Sequence, residues 1–214
     1  MLMSTFVNFV VLALAVVSSV ESISVTCKNT LTDGTLLATA IANSDPGSTI
    51  EIQGTCLLNS TVSLLGDRTY IGTSRTGTVL RQANHSHLPA LVASSVWLEN
   101  TSWTGAPIRI AHLSLDGNRA YNANTSSLVI RSWMTVVEDI MVSNSPEDGI
   151  RISNVALDGS TMLTTSQVNG VIQNVVVQGS GAHGIHVKDA GNAVTDWSLL
   201  NSWIASSDAS AIYL

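Results

Sequence analysis

The sequence predicts an all-β chain wound as a parallel β-helix, and three observations carry that expectation. Residues 136–152, 171–187 and 198–214 superimpose as repeats, and a fourth begins at Arg109. Within each repeat, short β-branched runs alternate with Gly, Ser, Asn and Asp, and no long stretch carries the 3.6-residue period of a helix. Read down the repeats, Ile110/Val137/Ile172/Leu199, Leu115/Val142/Val177/Ile204 and Ile150/Ile185/Ile212 form apolar columns. Inward-facing stacks of three short strands per coil require such columns.

The elements follow in chain order. Residues 6–17 are apolar, and Ser18-Ser19-Val20-Glu21-Ser22 supplies small residues suited to cleavage. Residues 1–22 therefore read as a signal peptide and 23–214 as the β-helix domain. As an uncleaved anchor, the apolar run falls short of the ~20 residues that a bilayer span needs. Cys27 and Cys56 are the only cysteines, and in a secreted chain they are expected to pair and pin the amino end. Asp33-Gly34-Thr35 opens a capping helix whose Leu36, Leu37, Ala40 and Ile41 form one apolar stripe, stopped by Asn43-Ser44-Asp45-Pro46-Gly47. Thr49-Ile50-Glu51-Ile52 is a strand, and Gly54-Thr55-Cys56 a turn.

Further along, His112, Asp139, Asn174 and Asn201 form a polar column spaced 27, 35 and 27 residues apart. It reads as a structural ladder, hydrogen-bonded from coil to coil at a tight bend. The longer step is absorbed by a Ser/Thr/Met-rich loop near Asp158 to Gln167. Ser210 to Leu214 is a strand like those of the preceding repeats, so the β-helix is expected to continue past Leu214; an uncapped last coil would self-associate.

Charge and motifs narrow the function. Nine Lys and Arg stand against 15 Asp and Glu, a net charge of −6, with no basic block to attract nucleic acid or anionic lipid. After leader cleavage no segment is expected to engage a membrane. Asn59, Asn84, Asn100 and Asn124 head glycosylation sequons that suit a secreted glycoprotein. Gly179 to Gly184 fits a dinucleotide fingerprint, but the strand-like Ile185-His186-Val187 follows where a helix is required. His183 and His186, three apart on a strand, are expected on opposite faces and so not to share a metal. His85 and His87 read as solvent-exposed loop residues. Of the five tryptophans, Trp133 and Trp203 sit in or beside strand runs and are expected to pack, the alternative being a sugar-stacking platform.

The cap helix leading to Gly47-Ser48-Thr49-Ile50-Glu51-Ile52, the Leu115-Asp116-Gly117-Asn118 turn, and the repeated Asp148-Gly149-Ile150 and His183-Gly184-Ile185 turns resemble the pectin-lyase-like superfamily. Its members are secreted right-handed parallel β-helices. The resemblance covers residues 33–214. It implies action on an acidic or cell-wall polysaccharide, as a pectin-like lyase or a hydrolase. The alternative is a non-catalytic carbohydrate-binding or surface β-helix protein.

Strand alternation places Ile150 and Ile152 inward and Arg151 outward, with His186 and Tyr213 as its equivalents in the next coils. The flanking turn column is Asp148/His183/Ser210, and Lys188 follows. Asp148, Arg151, His183, His186 and Lys188 are therefore the catalytic candidates, with Tyr213 for substrate binding. On the lyase reading Arg151 or Lys188 serves as base, and Glu147 and Asp148 hold calcium, although two adjacent carboxylates offer few of the six to eight oxygens that ion takes. Ser145-Pro146-Glu147-Asp148-Gly149-Ile150 is similar to the first acidic motif of the polygalacturonases, but the next coil reads Gly181-Ala182-His183-Gly184-Ile185, without a second carboxylate pair. The plain alternative is that Arg151, His186 and Lys188 are solvated outer-face residues.

Overall fold

A computed structural model describes residues 21–214. The leader expected over residues 1–22 lies, up to residue 20, outside the described residues; Glu21 and Ser22 run into the first strand. β1 (Ser22–Thr26) is followed by α1 (Asp33–Ala42) and the long β2 (Thr49–Leu58). The coils then continue with β3 (Val62–Leu64), β4 (Arg68–Gly72), β5 (Thr78–Gln82), β6 (Ala90–Ser94) and the short α2 (Ser95–Leu98). Next come β7 (Ile108–Ala111), β8 (Ser114–Asp116), β9 (Ser126–Ile130), β10 (Val136–Glu138), β11 (Met141–Ser143) and β12 (Ile150–Ser153). The last coils contain β13 (Val171–Gln173), β14 (Val176–Gln178), β15 (Ile185–Lys188), β16 (Ser198–Leu200), β17 (Trp203–Ala205) and β18 (Ile212–Tyr213).

Every strand pair is parallel, and each strand pairs with the equivalent strand of the next coil. The fold is therefore the parallel β-helix that the repeats predict. One face stacks β4, β7, β10, β13 and β16, a second stacks β5, β8, β11, β14 and β17, and β2 bends across both, giving one 12-stranded sheet. The third face stacks β3, β6, β9, β12, β15 and β18. The predicted columns are in register: Ile110, Val137, Ile172 and Leu199 pair in sequence, as do Leu115, Val142, Val177 and Ile204, and Ile150, Ile185 and Ile212. Eight of the eleven are buried and each of those contributes about 1.5–3 kcal/mol of transfer free energy, whereas Leu199 and Ile212 in the last coil are 39% and 45% exposed, against the expectation that they face inward. The winding begins earlier than the repeats do, because β2 to β6 already form coils that precede Arg109.

The bend between the first two faces explains the polar column. His112, Asp139, Asn174 and Asn201 all adopt left-handed backbone conformations, with φ of 56°, 48°, 53° and 47°. Short polar side chains tolerate that region best. In the first coil Gly54 makes the same bend at φ 78°, and a Cβ there would lie 2.6 Å from the Cys27 carbonyl oxygen. The turn expected at Gly54-Thr55-Cys56 is thus a bend inside a continuous strand. The side-chain ladder holds between His112 and Asp139, 2.7 Å apart, and Arg75 seals it with an ion pair to Asp139 at 2.5 Å.

The amino end is capped as the sequence predicts, with one correction. Leu37 and Ile41 are buried against the first coil and Ala40 is half-buried, but Leu36 is 48% exposed and lies off the stripe. Asp33 fixes the helix start, its carboxylate accepting N–H bonds from Thr30 and Leu57 at 2.8 and 3.2 Å. Cys27 and Cys56 form a disulfide. Among the described residues no helix is long and apolar enough to cross a membrane.

Candidate functional site

The candidate face is the outer surface of the third sheet. Its upstream coils are closed to solvent: Ala93 and Val129, which precede Arg151 in the outward column, are buried beneath Trp97 of α2. The loop near Asp158 to Gln167 lies over the same region, its Thr164 and Thr165 bonded to Ser102 and Thr104. Arg131 anchors this cover. Its guanidinium is fully buried and donates to the carbonyl oxygens of Val96, Thr101, Asn154 and Thr161. Nothing in the sequence singled out Arg131, because a lone Arg after a strand ordinarily faces solvent.

Beyond this cover the predicted residues converge. Asp148, 1% exposed, sits at the turn into β12. Its Oδ2 accepts from Arg151 Nε at 2.7 Å and from His186 Nδ1 at 2.8 Å, while Oδ1 accepts from the His183 amide at 3.1 Å. Burial raises the Asp148 pKa, but the Arg151 charge and these bonds outweigh it and hold the carboxyl below its usual range. Glu147 binds the other side of Arg151, with Oε1 at 2.7 Å from its guanidinium. Two carboxylates therefore bracket one guanidinium whose side chain is only 12% exposed. Arg151 is a clamp on Asp148, not a solvated outer-face residue.

The aromatic rings complete the cluster. His183 stacks on Tyr213 with centroids 4.6 Å apart and planes 11° from parallel. His186 meets both rings edge-on, 5.0 Å from His183 and 5.3 Å from Tyr213. The expectation that His183 and His186 face opposite sides fails, because His183 precedes β15 on a turn, where strand alternation does not apply. Lys188, at the exposed end of β15, shares with His186, Asp189, Val194 and Tyr213 a groove of about 540 Å³. The face thus offers a dry anion at its base, two imidazoles above it, and a phenol and an ammonium at an open groove.

Calcium does not fit the Glu147/Asp148 pair. Arg151 sits between the two carboxylates and holds one oxygen of each, so the pair does not close on one ion, and two carboxylates supply few of the six to eight oxygens that calcium takes.

Elsewhere, Asn59, Asn84, Asn100 and Asn124 are all exposed, as glycan acceptors must be. His85 and His87 are exposed as expected. The expectation that Trp133 and Trp203 pack is overturned, since they are 45% and 56% exposed; Trp97 is the tryptophan buried in the described core. The dinucleotide fingerprint runs into β15, as the sequence required. A cleft of about 760 Å³, lined by Arg81, Asn84, Asn118, Arg119, Tyr121 and Asn144, opens beside the second sheet and was not foreseen.

No protein-family model matches the chain, and no curated protein matches it. Among solved structures the chain is similar to the A-module of the mannuronan C-5 epimerase AlgE6 of Azotobacter vinelandii. The TM-score is 0.56 at 14% sequence identity, covering 84% of this chain and 54% of that one. The chain therefore spans about half the length of that module, and at this identity the likeness establishes a shared parallel β-helix fold.

Proposed function

We propose that this is a secreted β-helix of the pectin-lyase-like superfamily that acts on an acidic, uronate-bearing polysaccharide by removing the proton at C5. The observation that carries the reading is the Asp148–His186 pair beneath an open groove. The Asp148 carboxylate is ionised and can only accept, so His186 donates from Nδ1. In its neutral form the ring then offers an Nε2 lone pair as a base, the arrangement that general-base chemistry requires. Lys188 at the groove is placed to pair with the uronate carboxylate, stabilising the charge that develops there when the C5 proton moves to His186. Tyr213 supplies a hydroxyl that can donate a proton on the substrate side. Elimination of the 4-linked sugar gives a lyase, and return of a proton to the opposite face of C5 gives an epimerase. The fold likeness to a protein named for C-5 epimerisation of mannuronan supports the polysaccharide class. Hydrolysis by paired carboxylates has less support, since Glu147 and Asp148 both serve Arg151. The disulfide and the four exposed sequons support secretion.

Incubation with polymannuronate, alginate and polygalacturonate tests the reading. A lyase yields an unsaturated product absorbing in the near ultraviolet, and an epimerase a changed uronate ratio by NMR. His186→Ala is expected to lower the rate at least about 100-fold, and Lys188→Ala to raise KM more than it lowers kcat. Retention of these polymers with no chemical change would favour the carbohydrate-binding alternative, for which the exposed Trp133 and Trp203 provide aromatic faces.

A further inference from the structure

The same cluster has a second capacity that acid–base chemistry does not use. One ligand atom from each of Asp148, His183 and His186 lies within 4.8 Å of the others. His183 Nδ1 is buried and has no hydrogen-bond partner, although its ring is held by stacking on Tyr213. A buried ring nitrogen without a partner forfeits its hydration, and a bound cation would restore a partner. The pair His186 Nδ1 and Asp148 Oδ2, 2.8 Å apart, is close to the separation of two ligands on one small ion, with a proton now in the ion's place.

Charge and the surrounding shell agree with this. Glu147 neutralises Arg151, so the negative charge of Asp148 remains for another cation. A carboxylate oxygen has room for two partners, and Arg151 would remain on Oδ2 as the outer hydrogen bond that orients a ligating carboxylate. The His183 amide holds Oδ1 in the same way. Two imidazoles and one carboxylate are the donor set of a borderline transition metal and not of calcium or magnesium. The groove beside His186 leaves a fourth position open to water.

We propose that Asp148, His183 and His186 form a binding site for a divalent transition-metal ion of the zinc type. The ion replaces the proton shared by Asp148 and His186, and His183 turns inward to complete the set. The site goes beyond the proposed polysaccharide chemistry and opposes it: when the ion takes Nδ1, the ring's one hydrogen moves from Nδ1 to Nε2, and His186 has no lone pair left for a substrate proton. Zinc is thus expected to inhibit turnover.

The experiment is titration of zinc chloride into the purified protein at neutral pH, followed by calorimetry and by NMR of the five histidine rings. Cobalt(II) serves as a coloured substitute. The expected result is one zinc per chain, with ring signals of His183 and His186 displaced and those of His85 and His87 unmoved. Cobalt should give the intense visible absorption of a four-coordinate site. His183→Ala and His186→Ala are each expected to weaken binding by more than the roughly 10- to 100-fold that loss of an outer partner costs. Absence of zinc binding, displacement of the His85 and His87 signals instead, or unchanged affinity in both variants overturns the proposal. The NMR result needs only the wild-type chain, so a variant that misfolds does not obscure it. No polysaccharide is present, so failure here leaves the C5 reading standing, and failure of that reading leaves the metal result standing.

Discussion

At the scale of single residues, Asp148 organises the site, and its ionisation links the site to stability. Its pKa is depressed in the folded chain, against an unfolded value near 3.9. A depressed acid stabilises the fold at pH above its unfolded value, and that stabilisation disappears as pH falls through the folded pKa. Unfolding by acid below about pH 4 should therefore be partly relieved in Asp148→Asn. At neutral pH the same variant should lose about 3 kcal/mol, since it removes one partner of a buried ion pair while Glu147 still serves Arg151. Chemical denaturation across that pH range checks both halves; parallel pH profiles for wild type and variant would contradict the assignment. The sequence already placed Arg151, His186 and Tyr213 in one outward column, because strand alternation and repeat register are periodic properties. It also set His183 in the flanking turn column but did not show that its ring meets His186, since a turn residue's direction follows from local dihedrals that no period encodes.

At the scale of elements, the repeats from Arg109 onward were legible and the coils before it were not. The early coils are irregular: Gly54 replaces the polar bend residue, and α2 follows β6 where later coils run directly into a turn. The helix stripe was legible to within one residue, and that residue gives a clean contrast. Leu37→Ala should cost about 2–5 kcal/mol, whereas Leu36→Ala should stay within about 0.5 kcal/mol, as thermal unfolding of the two variants would show. Arg131 was invisible for a different reason: its value lies in four carbonyl oxygens drawn from α2, the turn after it, the residue that follows β12 and the loop beyond. Arg131→Ala leaves several of these acceptors unpaired, so a loss of about 3 kcal/mol is expected. The cover over the third sheet should then open before the coils do. Limited proteolysis would cut the variant first near Asp158 to Gln167, and cutting elsewhere at the same rate would show that Arg131 is not its anchor.

At the scale of the whole molecule, a solenoid is held by contacts between neighbouring coils, so its ends decide how readily it unwinds. Here the amino end is closed twice. α1 covers the first coil through Leu37 and Ile41, and the Cys27–Cys56 disulfide ties β1 to β2, which it pairs in parallel along five residues. The crosslink spans 29 residues, and closing a loop of that length in the unfolded chain corresponds to about 3–4 kcal/mol. Replacing both cysteines by serine, or reducing the bond, should lower Tm by roughly 10 °C for a domain of this size. The loss should be local in character, because α1 and β1 touch only the first coils. Hydrogen exchange in the variant should rise first in β1 and α1 while β10 to β15 keep their protection, and the His186 site should retain its activity below the new Tm. A uniform rise in exchange along all coils would instead mean that the β-helix unfolds as a single cooperative unit, with the amino cap holding the distant site together.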